Sequence, residues 1–134
     1  MRPGRELDTA IATQVFNHEV FIHKKIPYEK TPKGDRPLRF YSREIEAAWE
    51  VVEKMGITMI PIVNNTWFAL IGPKDGWKSP ADFISYLQSG NFVNAGAAVA
   101  ENAPLTICLA AIKAIESRNA EMSKQAHSRP QQHH

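Results

Sequence analysis

Two consecutive segments that are apolar on both faces constrain this chain more than any other feature. Ile57-Thr58-Met59-Ile60-Pro61-Ile62-Val63 is followed by Asn64-Asn65 and then by Thr66-Trp67-Phe68-Ala69-Leu70-Ile71. Asparagine tolerates the positive φ that a two-residue hairpin turn demands, so the pattern predicts two antiparallel strands. Ile57, Met59 and Val63 alternate with Ile60 and Ile62, while Trp67, Ala69 and Ile71 alternate with Phe68 and Leu70. Such a sheet must be covered on both sides, by helices on each or by one helical layer and a second subunit.

The rest of the chain supplies the covering helices. Leu7, Ile11 and Val15 recur every four residues between Arg5 and Phe16, behind a start marked by Pro3 and Gly4. In the second helix Ile45, Ala48, Trp49, Val52 and Met55 form the apolar stripe, Ser42 is the expected N-cap and Gly56 the left-handed stop. Trp49 is therefore expected to anchor the core. Ser79, Pro80 and Asp82 predict a short helix carrying Phe83, Ile84 and Leu87 as far as Gly90. A last helix is predicted from about Pro104 to Ser117, with Leu105, Cys108, Leu109, Ile112 and Ile115 inward.

Shorter strands are expected at His18–His23 and within Asn91–Ala100. Between Lys24 and Phe40, Pro27, Pro32 and Pro37 exclude a helix and are expected to interrupt any sheet ladder. The reading is a single α+β domain over residues 1–118, an antiparallel sheet of three to five strands sandwiched between helices. A polar, mobile tail is expected over 119–134, ending in His133-His134.

Composition closes off several function classes. A chain of 134 residues is long enough for one packed core. No apolar run approaches the roughly 18 residues needed to cross a bilayer, so a cytoplasmic protein is expected. The single cysteine, Cys108, excludes an intrachain disulfide and paired-thiolate zinc sites. A formal charge of +2 is too small for non-specific coating of nucleic acid. No cofactor, metal or catalytic set is indicated by any nucleophile elbow, phosphate loop, dinucleotide glycine pattern or paired-histidine motif.

Three segments carry a family likeness. They are Pro3-Gly4-Arg5-Glu6-Leu7-Asp8; Tyr41 and Ser42 with Ala47, Ala48, Trp49, Glu53 and Lys54; and Ala103, Pro104, Ile107, Cys108, Ala110, Ala111, Lys113 and Ala114. Together they resemble the phage ABA sandwich domain family, with a weaker likeness to NinX-like proteins of lambdoid phages. The resemblance implies a phage or prophage origin and a layered α/β fold, but no shared activity. Residues 72–90 read as an insertion relative to that family.

Candidate chemistry gathers in one place. From Lys24 to Arg43 seven basic residues face only Glu29 and Asp35. Arg36, Arg39 and Arg43 interleave with Phe40 and Tyr41 ahead of Ser42, a combination suited to phosphate oxygens and a stacked base at a helix N-terminus. Against this stands a plain reading in which Ser42 is only a cap and the loop a connector. Asn102 to Thr106 offers a second helix start with the same two readings. Arg5, poorly placed for the helix dipole, is expected to reach a ligand or a carboxylate of a neighbouring copy; Trp77 is a candidate stacking ring and Trp67 a core residue. The expected function is non-catalytic capture of a small phosphorylated ligand, such as a nucleotide immune signal of bacterial defence, by a homo-oligomer. The alternatives are a protein-binding inhibitor of a host factor, using Trp77 and its insertion, and an unfamiliar nucleotide-processing enzyme.

Overall fold

The computed structural model describes residues 3–71, 77–89 and 96–128. Four helices and six strands follow in the order α1 (Arg5–Gln14), β1 (Val20–His23), β2 (Ile26–Thr31), β3 (Gly34–Pro37), α2 (Ile45–Met55), β4 (Ile57–Ile62), β5 (Thr66–Ile71), α3 (Pro80–Ser89), β6 (Ala98–Ala100) and α4 (Ala103–Ser128). The class is α+β and every strand pairing is antiparallel. The strands divide between two three-stranded sheets, β1-β2-β3 and β4-β5-β6.

The second sheet forms where the two apolar segments predicted it. Ile57 pairs with Ile71 and Ile60 with Phe68, and β6 joins on the far side of β5 through Phe68 and Val99. Three residues connect β4 to β5, since Ile62 is already opposite Thr66; Asn64 and Asn65 both take positive φ, 65° and 59°. Its inner face places Ile57, Ala69, Ile71 and Ala98 in one core with Leu7 and Ile11 of α1, Ala48 and Val51 of α2, and Ile107, Cys108 and Ala111 of α4. Close backbone approach is built in at Gly96. Its φ is +59°, and a Cβ there would stand 2.7 Å from the Ala114 methyl and collide with the Ala110 carbonyl.

The first sheet is where sequence patterning misleads. The prolines do exclude a helix, but they do not interrupt the ladder. Pro27 lies opposite Ile22, one pair from the β1–β2 turn, and its carbonyl still accepts from the Leu38 N–H at 2.9 Å. Pro37 closes the edge strand β3, where a missing donor is tolerated, and Pro32 falls in the β2–β3 turn. Lys24 and Lys25 make the β1–β2 turn with φ of 51° and 66°.

Three helix expectations also change. Ser42 is not the N-cap of α2, because the helix begins at Ile45 with Glu44 in extended conformation before it and no side-chain cap. Trp49 is 51% exposed, so it is no core anchor; Ala47, Ala48, Val51 and Val52 face inward instead. The last helix runs past Ser117 to Ser128. Gly56 does end α2 in the left-handed conformation, φ 67°, and Ser79 does cap α3, its Oγ accepting from the Asp82 N–H at 3.2 Å. Gly90, residues 91–95 and His133-His134 lie outside the described residues.

Candidate functional site

Two of the three segments that carry the family likeness, the first and the second, grip each other. At the start of α1, Ser42 Oγ accepts from the Gly4 N–H at 2.9 Å. The same hydroxyl donates to Asp8 Oδ1 at 2.7 Å, and the Ser42 N–H donates to that oxygen at 2.8 Å. Arg5 donates to Asp8 Oδ2 at 2.9 Å and to the Leu38 carbonyl at 2.6 Å, and its guanidinium lies 4.1 Å over the Phe40 ring. Asp8 and Ser42 are wholly buried. The carboxylate that Arg5 reaches thus belongs to its own helix, not to a neighbouring copy. A buried carboxylate is tolerated because each oxygen is met by donors.

A second polar hub sits under the first sheet. Glu29 of β2 is fully buried and takes hydrogen bonds from Tyr41 Oη at 2.9 Å, the Arg39 N–H at 3.2 Å and Arg36 Nε at 3.3 Å, with His18 Nδ1 at 2.7 Å. Burial alone would raise the carboxyl; the bonds from His18, Tyr41 and Arg39 and the charge of Arg36 outweigh it and hold Glu29 below the ordinary value of 4.5. Burial, with the adjacent Glu29 charge, pushes the Tyr41 phenol far up, so it stays a donor.

These contacts place the residues singled out from sequence. Tyr41 is buried in the hub and stacks on Phe16 at 5.4 Å, so its ring is no platform for a base. Arg36 is held by Glu29 and Tyr41, and Arg39 by Glu50. Of the three arginines, Arg43 alone has no side-chain hydrogen bond or ion pair among the described residues. Asn102 caps α4, its Oδ1 accepting from the Leu105 N–H at 2.9 Å, and buried Thr106 donates to the Asn102 carbonyl at 2.7 Å. Trp77 packs edge-on against Phe83 at 4.9 Å, its buried indole nitrogen without a hydrogen-bond partner among the described residues. The structure therefore brings Arg5, Arg36, Arg39, Tyr41 and Ser42 together as internal ties, with Trp77, Asn102 and Thr106 elsewhere.

Glu29 points inward, so its neighbours on β2 point out. Tyr28 and Lys30 share the outer face of the first sheet with Phe21, the register partner of Tyr28, and with Asp35, the partner of Lys30. The Phe21 and Tyr28 rings lie 5.6 Å apart and 17° from parallel; His23 meets Tyr28 edge-on at 6.1 Å, and Lys30 Nζ stands 5.6 Å from the Phe21 ring. Phe21, His23, Tyr28 and Asp35 line a concavity of about 280 Å³. Sequence reasoning missed this face because the prolines argued against strands. The signal was the alternation of Tyr28 and Lys30 with inward Glu29.

No protein-family model matches the chain, and no curated protein matches it. A solved structure does: the 2.0 Å crystal structure of a phage protein from Bacillus cereus ATCC 14579 superposes with a TM-score of 0.56 at 21% identity, covering 87% of this chain and 89% of that one. The likeness extends to the fold. Among the described residues, no helix is long and apolar enough to cross a membrane.

Proposed function

We propose that this chain is a phage-type protein of the ABA sandwich kind that acts by binding, and that it sequesters a small phosphorylated, base-bearing ligand on the outer face of its first sheet. A nucleotide immune signal of bacterial defence is the fitting class. The observation that carries the reading is the pair of near-parallel rings, Phe21 and Tyr28, with Lys30 beside them. An aromatic face of this kind stacks a base, worth about 1–3 kcal/mol. Lys30, ion-paired with the exposed Glu19 at 3.6 Å, exchanges that carboxylate for phosphate, and Asp35 can accept from an exocyclic amino group of the base. The phage origin draws on the sequence resemblance and on the shared fold. Binding without turnover fits the internal use of Asp8, Glu29, Tyr41 and Ser42, whose hydrogen-bonding capacity is committed to the clasp and the hub.

Incubation with a nucleotide mixture, removal of the unbound fraction and mass spectrometry of what heating releases would test this. A chemically unchanged ligand, lost from a Phe21→Ala/Tyr28→Ala variant that melts like wild type, is the expected result. Retention by that variant would refute the site. Multiple-turnover release of a cleaved product would establish an enzyme instead.

A further inference from the structure

Two surfaces outside the binding face are complementary to each other. The exposed side of α2 presents Trp49 and Ile45, 51% and 50% exposed and one turn apart, flanked by Glu46 and Glu53, with Glu50 beside them tied to Arg39. A tryptophan half in water with a carboxylate on either side is the composition of an interface anchor. At the opposite sign, the β1–β2 turn carries Lys24 and Lys25 at its tip, with Ile22 and Ile26 exposed at its base, 68% and 49%. Both lysines hold left-handed backbone, which non-glycine residues seldom adopt and which Asn-Gly would supply more cheaply.

We infer that a second copy of this chain covers α2: the Lys24-Lys25 turn of one molecule docks on the Trp49 face of the other. Ile26, on the outer face of the sheet, meets Trp49 and Ile45, and the two ammonium groups meet Glu46 and Glu53. The occupant is a copy of the chain because both halves of the match, apolar base with cationic tip and apolar pair with acidic rim, are on this one sequence. When two molecules face each other about a twofold axis the contact is made twice, which closes a dimer and leaves neither patch open. Ile26 borders the Phe21–Tyr28 face, but Phe21, Tyr28 and Lys30 are outside the contact, so a Phe21→Ala/Tyr28→Ala variant that still dimerises separates this inference from the ligand reading.

Sedimentation velocity on the full chain at about 100 μM and low salt, followed by the same measurement near 500 mM salt, gives the first readout. Wild type is expected to dimerise, more weakly at high salt. Lys24→Glu/Lys25→Glu and Glu46→Lys/Glu53→Lys variants should each be monomeric, with at least about tenfold weaker association, because each presents two like-charged surfaces. Mixing the two should restore the dimer, since every contact then joins opposite signs. Trp49→Ala should weaken association without any change of charge. A monomeric wild type, undiminished association in the reversed variants, or failure of the mixture to associate while both variants remain folded by circular dichroism would each overturn the inference.

Discussion

The two sheets of this protein are equal in strand number and opposite in how they are held. The second sheet lies against α4 with an apolar inner face, and Ala69, Leu70 and Ile71 are wholly buried along one strand. Its attachment is by area, and neighbouring side chains can repack around a change. The first sheet puts little apolar surface into the core. Its inward face is fastened at one point, the Glu29 hub, where a few directional bonds must all be present. One side of a sheet pinned this way is released from packing duty, and that side is where Phe21, Tyr28 and Lys30 stand.

The contrast can be broken most sharply at Glu29. Glu29→Ala should cost about 3–5 kcal/mol, because Tyr41, Arg36 and the Arg39 N–H are left without their shared acceptor. Hydrogen exchange should show β1 to β3 opening ahead of the second sheet. The pH dependence has a defined sign. A carboxyl held below its unfolded value stabilises the fold above about pH 4.5, and that contribution is lost as pH falls through the lowered folded value. Glu29→Gln should flatten this acid limb in denaturation midpoints measured between about pH 3 and 6.

A cavity in the second sheet gives the matching test. Ile71→Ala should cost about 2–4 kcal/mol, with exchange rising across α2, α4 and β5 together rather than in one sheet. If the first sheet opened first in this variant too, the division into an area-held and a point-held sheet would be wrong. At the small end, Trp49→Ala should shift the stability of dilute monomer by no more than about 0.5 kcal/mol, since its ring faces solvent. A loss of several kcal/mol in a chemical denaturation curve would put the ring in the core after all.

Periodicity revealed the second sheet and α1, because apolar spacing reports burial directly, and the Ser79 cap revealed α3. On α4 Cys108 and Ile112 are buried as expected, but Leu105, Leu109 and Ile115 are only partly buried, and Ile107, Ala110, Ala111 and Ala114 face the core instead. Periodicity failed at Trp49, where Ile45, Ala48, Trp49 and Val52 form a stripe about as regular as the true one; the small residues Ala47 and Ala48, with Val51, let α4 approach more closely on the other side. The hub was illegible for a different reason. Glu29 and Tyr41 are twelve apart in sequence, and nothing in either residue announces that a carboxylate will be buried. The arginines drew attention as free charges, whereas Arg36 and Arg39 are each committed to a glutamate. Exchanging all three for glutamate would therefore test the hub's integrity rather than ligand binding. Ser42, expected to cap α2, does not; its hydroxyl instead accepts from the Gly4 N–H across the fold.

The order of the strands along the chain sets an order of assembly. β1, β2 and β3 are consecutive and joined by short turns, so their pairing closes small loops and can form early. β5 instead waits for β6, which arrives only after α3 has been made. Until then one edge of the most apolar strand in the molecule is open, and a nascent or refolding chain can pair that edge with another chain. Gly96 is the residue that ends this exposure, because without a side chain there the segment leading into β6 can lie flat on α4. Pulse-labelled refolding should accordingly find the Phe21 to Thr31 amides protected before those of β6, and a bulky residue at position 96 should appear first as aggregation during synthesis.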